Sequence, residues 1–223
     1  MKLSESTINV LKNFATINAG MQFKEGSVVR TISKGQNVLG KATVTENFEK
    51  DFVIYDLNRF LSLCSSLTDP EIVINTDANN LTVKSGTSKT TYGLADESMI
   101  VAPPAKELKI ENSEVNFRLT KDDMNQVLKL SGILGLPNIA VVGDGNEISI
   151  SALDVKNADS DNFSIKVGET ASNFKLIFNT ENLKMIPGTY DVAISSKGIS
   201  HFKHATDSVE YWIATEAGSK YEA

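Results

Sequence analysis

His201 and His204 are the only histidines in this chain of 223 residues, so they are the first candidates for a metal-ligand pair or a catalytic base. On a β-strand, a spacing of three residues directs the two rings to opposite faces of the sheet. The single cysteine, Cys64, is far from them in the sequence and belongs to the apolar stripe of a predicted helix, where a thiol acts as a small core residue. The sequence therefore predicts no metal site and no cofactor.

Three other stretches contain residue types that can do chemistry. Asp154, Asp159 and Asp161 form a polar loop, but they lack the spacing and the central glycine of a calcium loop. The run GDGN at 143–146 is not followed by a helix with a lysine, so it is a hairpin turn rather than a phosphate-binding loop. No serine, histidine and acid occur in a recognisable catalytic motif. We therefore expect that the protein is not an enzyme.

The predicted helices show a different pattern. Their bodies, at 7–14, 59–67, 124–134 and 182–186, contain no Asp or Glu, although the composition of the chain predicts about four. The acids nearby stand at the helix starts, where they complement the helix dipole. If these helices share one surface, that surface suits a polyanion; if they do not, their polar faces are ordinary solvated surfaces. Each body has one cation, and the four are Lys12, Arg59, Lys129 and Lys184.

The elements that carry these residues form four units of one helix followed by strands. The helices are predicted to start near residues 5, 57, 121 and 180. The unit at 52–74 shows the pattern most clearly, with an extended start, Asp56 as the helix cap, an apolar stripe, a stop at Asp69-Pro70 and a new strand. Two units in each half predict two similar α+β domains, each with antiparallel sheets and two helices on one face.

The boundary between the two domains is predicted near residue 106. Residues 99–106, MIVAPPAK, contain two prolines, which remove backbone donors and favour an extended connector. The N-terminal domain is then 1–106, with the connector included, and the C-terminal domain is 107–223.

Composition limits the classes of protein that fit. The chain has 22 basic and 28 acidic residues, a net charge of −6, so no overall basic field indicates nucleic acid. One cysteine excludes a framework of intrachain disulfides and fits a reducing compartment. The first residues lack the apolar run of a signal peptide, and no stretch approaches the roughly 20 apolar residues of a membrane span. We expect an intracellular protein that is not secreted and has no membrane partner.

Four stretches carry a resemblance to a known family. They are LKNFATIN at 11–18, IYDLN at 54–58, KMIPGTY at 184–190 and YWIATEA at 211–217. Together they resemble the DNA polymerase sliding clamp of large tailed bacteriophages, a processivity factor in DNA replication, and the similarity runs from end to end. The resemblance implies the fold of proliferating cell nuclear antigen and a location in the cytoplasm of the infected bacterial host.

The same resemblance implies a homotrimeric ring, because rings of this family have six domains and this chain has two. The helices would line the hole around double-stranded DNA, and phosphate contacts would position the DNA without reading its sequence. Close relatives have a cation where this chain has Glu5, so the pattern of charges is not rigid. The resemblance implies that the DNA-facing residues are Lys2, Lys12, Arg59, Lys121, Lys129 and Lys184.

A subunit interface also follows from the resemblance. Clamps of this family join head to tail, with an edge strand of one N-terminal domain beside an edge strand of the next C-terminal domain. The matching strands lie around Tyr92 and Leu94 and around Phe163 and Ile165. The alternative for Tyr92 is that it packs only on its own sheet.

Partner proteins of the family, chiefly DNA polymerase and the clamp loader, dock short apolar peptide tails near the connector and the C-terminal strands. A role in late transcription, through transcription factors, is also known in the family, and nothing in the sequence tests it. Trp212 could equally be a core residue. A different class of function, a β-rich structural or virion oligomer without a DNA role, is the main alternative. The candidate groove residues are Ile100, Val101, Pro103, Trp212, Ile213 and Ala214.

Overall fold

The computed structural model describes residues 1–157 and 159–222. The chain divides into two compact units, Met1–Lys106 and Glu107–Ala223, which we call the N-terminal and C-terminal units. Strand pairings within each unit are antiparallel. The expected α+β class with antiparallel sheets is confirmed.

The N-terminal unit contains two helices and two sheets. One sheet has the strand order β4-β1-β2-β3, and the other has the order β5-β6-β7. Phe23, Phe48 and Phe52 form an aromatic cluster on the first sheet, with the rings of Phe23 and Phe52 stacked 4.6 Å apart. The elements are α1 (Glu5–Ile17), β1 (Met21–Phe23), β2 (Gly26–Ile32), β3 (Val38–Phe48), β4 (Phe52–Ile54), α2 (Leu57–Ser65), β5 (Glu71–Asn75), β6 (Asn80–Ser85) and β7 (Ser88–Gly93).

Local sequence explains where both helices of this unit begin. The Ser4 hydroxyl accepts a hydrogen bond from the Thr7 backbone N–H, and the Asp56 carboxylate accepts one from the Arg59 backbone N–H. These caps satisfy backbone donors that the first turn of a helix leaves free. Helix α1 then packs against β2, β3 and α2. The side chains that it buries are Thr7, Leu11, Phe14 and Ala15.

The described part of the C-terminal unit contains one α-helix and two sets of strands, of orders β8-β13-β14-β15 and β11-β10-β9-β12-β16. Strand β10 alternates buried Ile148, Ile150 and Ala152 with more exposed serines, as expected of a strand with one face on the core. The elements are β8 (Val115–Leu119), α3 (Lys121–Leu134), β9 (Asn138–Asp144), β10 (Glu147–Leu153), β11 (Phe163–Glu169), β12 (Asn173–Asn179), β13 (Tyr190–Ser195), β14 (Ile199–His204), β15 (Val209–Ala214) and β16 (Lys220–Glu222).

The prediction of a fourth helix is wrong in its extent. Only one 3₁₀ turn, Thr180–Asn182, forms there, so residues 1–157 and 159–222 contain three α-helices rather than four. The backbone N–H of Ile186 donates to the Tyr211 hydroxyl, and its carbonyl accepts from the Tyr190 hydroxyl. These tertiary hydrogen bonds replace the ones that a helix would make, and Pro187 prevents the helix from continuing.

Candidate nucleic-acid and partner interfaces

The polar faces of α1 and α2 lack acids beyond the helix starts, as the sequence predicted. Lys12 on α1 and Arg59 on α2 are exposed, and neither forms an ion pair with a described residue. The acids at the starts of the helices are Glu5 and the capping Asp56. Both helices therefore present a cation with no neighbouring acid on the rest of the exposed face.

Helix α3 repeats this arrangement in the C-terminal unit. Thr120 caps α3: the Asp123 backbone N–H donates to the Thr120 hydroxyl at 3.2 Å, and this hydroxyl donates to the Asp123 carboxylate at 2.6 Å. The two acids of this helix, Asp122 and Asp123, lie in the first turn, where they favour the helix dipole. Lys121 and Lys129 are exposed and form no ion pair with any residue that the structure describes.

The remaining two predicted cations differ from these four. Lys184 follows the 3₁₀ turn rather than lying on a helix, and its ammonium group is 3.3 Å from the Glu181 carboxylate. Lys2 precedes α1 and forms an ion pair with Asp69. Both pairs are exposed, so water and salt screen them and both cations remain accessible.

The strands predicted for a subunit interface are both at sheet edges. Tyr92 lies in β7, an outer strand of the three-stranded sheet, and Leu94 follows it. Phe163 and Ile165 lie in β11, an outer strand of the five-stranded sheet, and their side chains are half-buried. An outer strand has backbone groups that another strand can pair with.

Tyr92 also packs within its own unit. Its ring contacts Phe60 of α2 at a centroid distance of 5.4 Å, and its hydroxyl donates to the Asp56 carbonyl at 3.0 Å. Burial raises the pKa of the Tyr92 hydroxyl above its ordinary value, and the nearby Asp56 carboxylate adds to this effect. The contact to α2 connects the edge strand to the helix that carries Arg59.

The predicted groove residues differ in exposure. Ile100, Val101 and Pro103 of the connector are half-buried, with side chains that remain partly accessible. Ile213 is completely buried and Trp212 is 7% exposed, so Trp212 is a core residue. Its ring stacks on that of His201 at 4.6 Å. Among the C-terminal candidates, Ala214 retains partial exposure.

The residues with reactive side chains have structural partners. His201 lies 2.9 Å from the Glu210 carboxylate, and the His204 Nδ1 accepts hydrogen bonds from the backbone N–H groups of Thr206 and Asp207. Burial raises the pKa of the Cys64 thiol to about 11, which keeps it protonated and unreactive at neutral pH. These side chains hold turns and core packing in place.

One residue that helps to position α1 was missed by the sequence reasoning. Glu46, on β3, accepts hydrogen bonds from the Ser4 backbone N–H and the Thr7 hydroxyl at the start of α1. Burial works to raise the pKa of Glu46, but the hydrogen bonds from Thr7 and Ser4 outweigh it and hold the pKa below its ordinary value. No local pattern could have indicated this contact, because Glu46 is separated from α1 by two strands.

Comparison with known proteins gives matches along nearly the whole chain. A family model described as DNA polymerase processivity factor matches residues 2–102, and one described as gp45 sliding clamp, C terminal, matches residues 116–217. The sliding clamp of Vibrio phage KVP40 is 36% identical over 97% of this chain and 100% of its own. The chain belongs to the sliding-clamp family. The sliding clamps of Escherichia phage RB69 and Enterobacteria phage T4 are 32% and 30% identical, each over 100% of both chains.

Solved structures give the same fold at lower identity. Archaeal PCNA from A. fulgidus, solved with the C-terminal region of FEN-1, aligns with a TM-score of 0.69 and 15% identity over 98% of both chains. Proliferating cellular nuclear antigen from Entamoeba histolytica aligns with a TM-score of 0.68 and 15% identity over 94% of both chains. Sliding clamps are accessory factors rather than enzymes. Because the chain belongs to this family, the alternative of a virion component is excluded.

No helix within residues 1–157 and 159–222 has the length and apolar character needed to cross a membrane.

Proposed function

We propose that three copies of this chain close into a ring around double-stranded DNA and tether the replicative DNA polymerase to it. The observation that carries this proposal is the absence of acids beyond the first turn on the exposed faces of the helices in both units, with Lys12, Arg59 and Lys129 free of ion pairs to described residues. The relatives named sliding clamp support the same role over the full length of the chain.

The density of charge on these faces fits sliding better than tight binding. Each phosphate that a lysine or arginine neutralises releases counterions and adds to the affinity for DNA. A few cations, without base-reading side chains around them, attract the backbone of any sequence and release it easily. A net charge of −6 is compatible with this function because the acids stand at helix starts and elsewhere on the surface.

Assembly would use the outer strands β7 and β11, which in a head-to-tail arrangement would pair as one continuous sheet. The connector residues Ile100, Val101 and Pro103 would accept apolar peptide tails of DNA polymerase, the clamp loader and transcription factors. Any ATP used in loading would be hydrolysed by the loader. The location that follows is the cytoplasm of the infected host.

The first experiment is light scattering over a series of protein concentrations. A species near three times the chain mass of 24.2 kDa is expected. In a separate retention assay, the loaded ring should stay on circular DNA but be lost from linear DNA. A strict monomer at high concentration would remove the ring and the sliding mechanism with it.

The second experiment reverses two charges on the helix faces. The double variant Lys12→Glu with Lys129→Glu should remain trimeric but lose loader-dependent polymerase processivity. The matched control is Lys50→Glu with Lys156→Glu, which makes the same change in net charge, one residue in each unit, outside the helices. Processivity of the double helix variant equal to that of the control would count against these DNA-facing residues.

A further inference from the structure

The connector is held in place by an asparagine at the end of α1. Asn18 is 6% exposed. Its side-chain amide donates to the Ile32 carbonyl at 2.9 Å and to the Val101 carbonyl at 3.3 Å. Its side-chain oxygen accepts from the Gly20 backbone N–H at 3.1 Å. One buried amide therefore joins the last residue of β2 to the connector and uses both of its donors and its acceptor.

A second side chain fixes the connector three residues further on. The guanidinium group of Arg30, on β2, donates to the Pro104 carbonyl at 2.8 Å. Pro103 and Pro104 have no backbone N–H to donate to a strand, and β2 already lies between β1 and β3 in its sheet. Side-chain donors that reach the connector carbonyls supply the attachment instead.

Close packing at Gly20 sets the position of the start of the connector. A Cβ at Gly20 would lie 2.5 Å from the Cγ2 atom of Ile100, which is closer than carbon atoms can approach without movement. Because Gly20 has no side chain, Ile100 can lie directly against the backbone between α1 and β1. A larger residue there would move Ile100 outward.

We propose that Asn18, Gly20 and Arg30 form a clasp that sets the position of the connector segment 100–104 and thereby its affinity for an apolar partner peptide. The proposal rests on the proposed docking role of Ile100, Val101 and Pro103. The clasp orients the Val101 carbonyl inward, so the extended backbone presents its neighbouring side chains at fixed positions. A peptide that binds a fixed surface does not have to order it first.

The clasp also explains the residue that ends the LKNFATIN stretch. The Asn18 backbone N–H donates to the Phe14 carbonyl at 3.0 Å and closes the last turn of α1. Aspartate at this position would place a carboxylate against two carbonyl oxygens and lose both donors, and leucine would leave both carbonyls unsatisfied. Asn18 is thus a positioning residue that attaches the connector to the end of a helix with a DNA-facing cation.

The test compares Asn18→Asp with Asn47→Asp, an exposed position on β3 where the same charge is introduced. The probe is a fluorescein-labelled synthetic peptide with the C-terminal residues of the phage's own DNA polymerase, and binding is measured by fluorescence anisotropy on the intact protein. Loss of the donors to one carbonyl pair should weaken binding about tenfold in Asn18→Asp, while Asn47→Asp binds like the parent. Gly20→Ala should also weaken binding, because its methyl group would move Ile100 outward.

A spectroscopic measurement separates the clasp from the docking surface. A nitroxide label on Ala102→Cys, an exposed connector position, reports mobility by electron paramagnetic resonance, since the buried thiol of Cys64 does not compete for the reagent. When Asn18→Asp is added to the labelled variant, the label should become more mobile. The urea midpoint of the control variant Asn47→Asp should not change. Unchanged mobility, or higher mobility with undiminished peptide affinity when Val101→Ser does weaken binding, would overturn the clasp. If Val101→Ser binds the peptide like the parent while Asn18→Asp raises mobility, the docking role fails and the positioning role stands.

Discussion

The two units fasten their helices in different ways. In the N-terminal unit, the start of α1 is held by Glu46 from a distant strand, and its Phe14 packs so closely on β3 that a Cβ at Gly40 would lie 2.9 Å from the ring. In the C-terminal unit, the start of α3 is held by the local pair Thr120 and Asp123. Below α3 lies an apolar cavity of about 30 Å³, whose lining includes Val127.

This difference shows that the same exposed face can be produced by different interiors. Both α1 and α3 carry an exposed cation beyond the first turn, and their acids lie within the first turn. Both starts have a local cap, to which α1 adds the Glu46 carboxylate and α3 adds the Thr189 hydroxyl. The cavity lies where a longer fourth helix was predicted, since Leu183 and Met185 line it. A tightly packed helix and a loosely packed helix should respond differently to the same kinds of substitution.

Truncation of core side chains should give the largest difference between the two units in the loss of unfolding free energy. Phe14→Ala removes a fully buried ring from a close-packed site and should cost about 4 kcal/mol of unfolding free energy. Met124→Ala, beside the cavity, should cost about 2 kcal/mol because the surroundings can relax. Urea denaturation followed by circular dichroism measures both. Equal losses would mean that the cavity does not soften the C-terminal unit.

Removal of the local cap should have a smaller effect. Thr120→Ala leaves the Asp123 backbone N–H without its side-chain acceptor and should cost about 1 kcal/mol. Thr120→Ser keeps the hydroxyl and should be close to neutral, and the same urea titration compares the two. A loss in the serine variant as large as in the alanine variant would show that the threonine methyl group, not the cap, is responsible.

Addition of one methylene group should have opposite signs in the two units. Val127→Ile extends a buried side chain toward the cavity and should stabilise the protein by about 0.5 kcal/mol. Val29→Ile, at a buried position on β2 against which α1 packs, should instead destabilise it by about 1 kcal/mol through overpacking. Thermal unfolding of both variants gives the sign. Destabilisation by Val127→Ile would mean that the cavity cannot accept a methyl group.

The smallest effect is expected from the long-range cap and its pH dependence. The folded pKa of Glu46 lies below its ordinary value, so its contribution is present above that value and is lost as pH falls through the folded pKa. Glu46→Gln should therefore lower the urea midpoint at about pH 7, and the gap to the parent should close as the pH falls through the folded pKa of Glu46. Asp77→Asn, an exposed acid outside this contact, is the control. A gap that persists in acid would show that the Glu46 charge is not what stabilises α1.

Much of the local structure could be predicted from the sequence. The helix starts after Asp56 and Thr120 were readable because a cap acts on the N–H groups two or three residues away, and for the first helix the structure selects Ser4 where the sequence allowed Ser4 or Ser6. The absence of acids beyond the first turns is likewise a property of the sequence, whereas the resemblance to the family supplied the candidate DNA-facing side chains. The four family-like stretches led to the fold and the function, which the comparisons confirm.

The tertiary structure decided the features that depend on residues distant in the chain. The fourth helix failed because Tyr190 and Tyr211 bond the backbone of Ile186, a competition that no local pattern reveals. Trp212 was undecided in the sequence, and the fold places it in the core, since the burial of a strand residue depends on what covers each face of its sheet. The attachment of the connector by Asn18 joins residues 83 positions apart, so only the folded chain brings its donors and acceptors together.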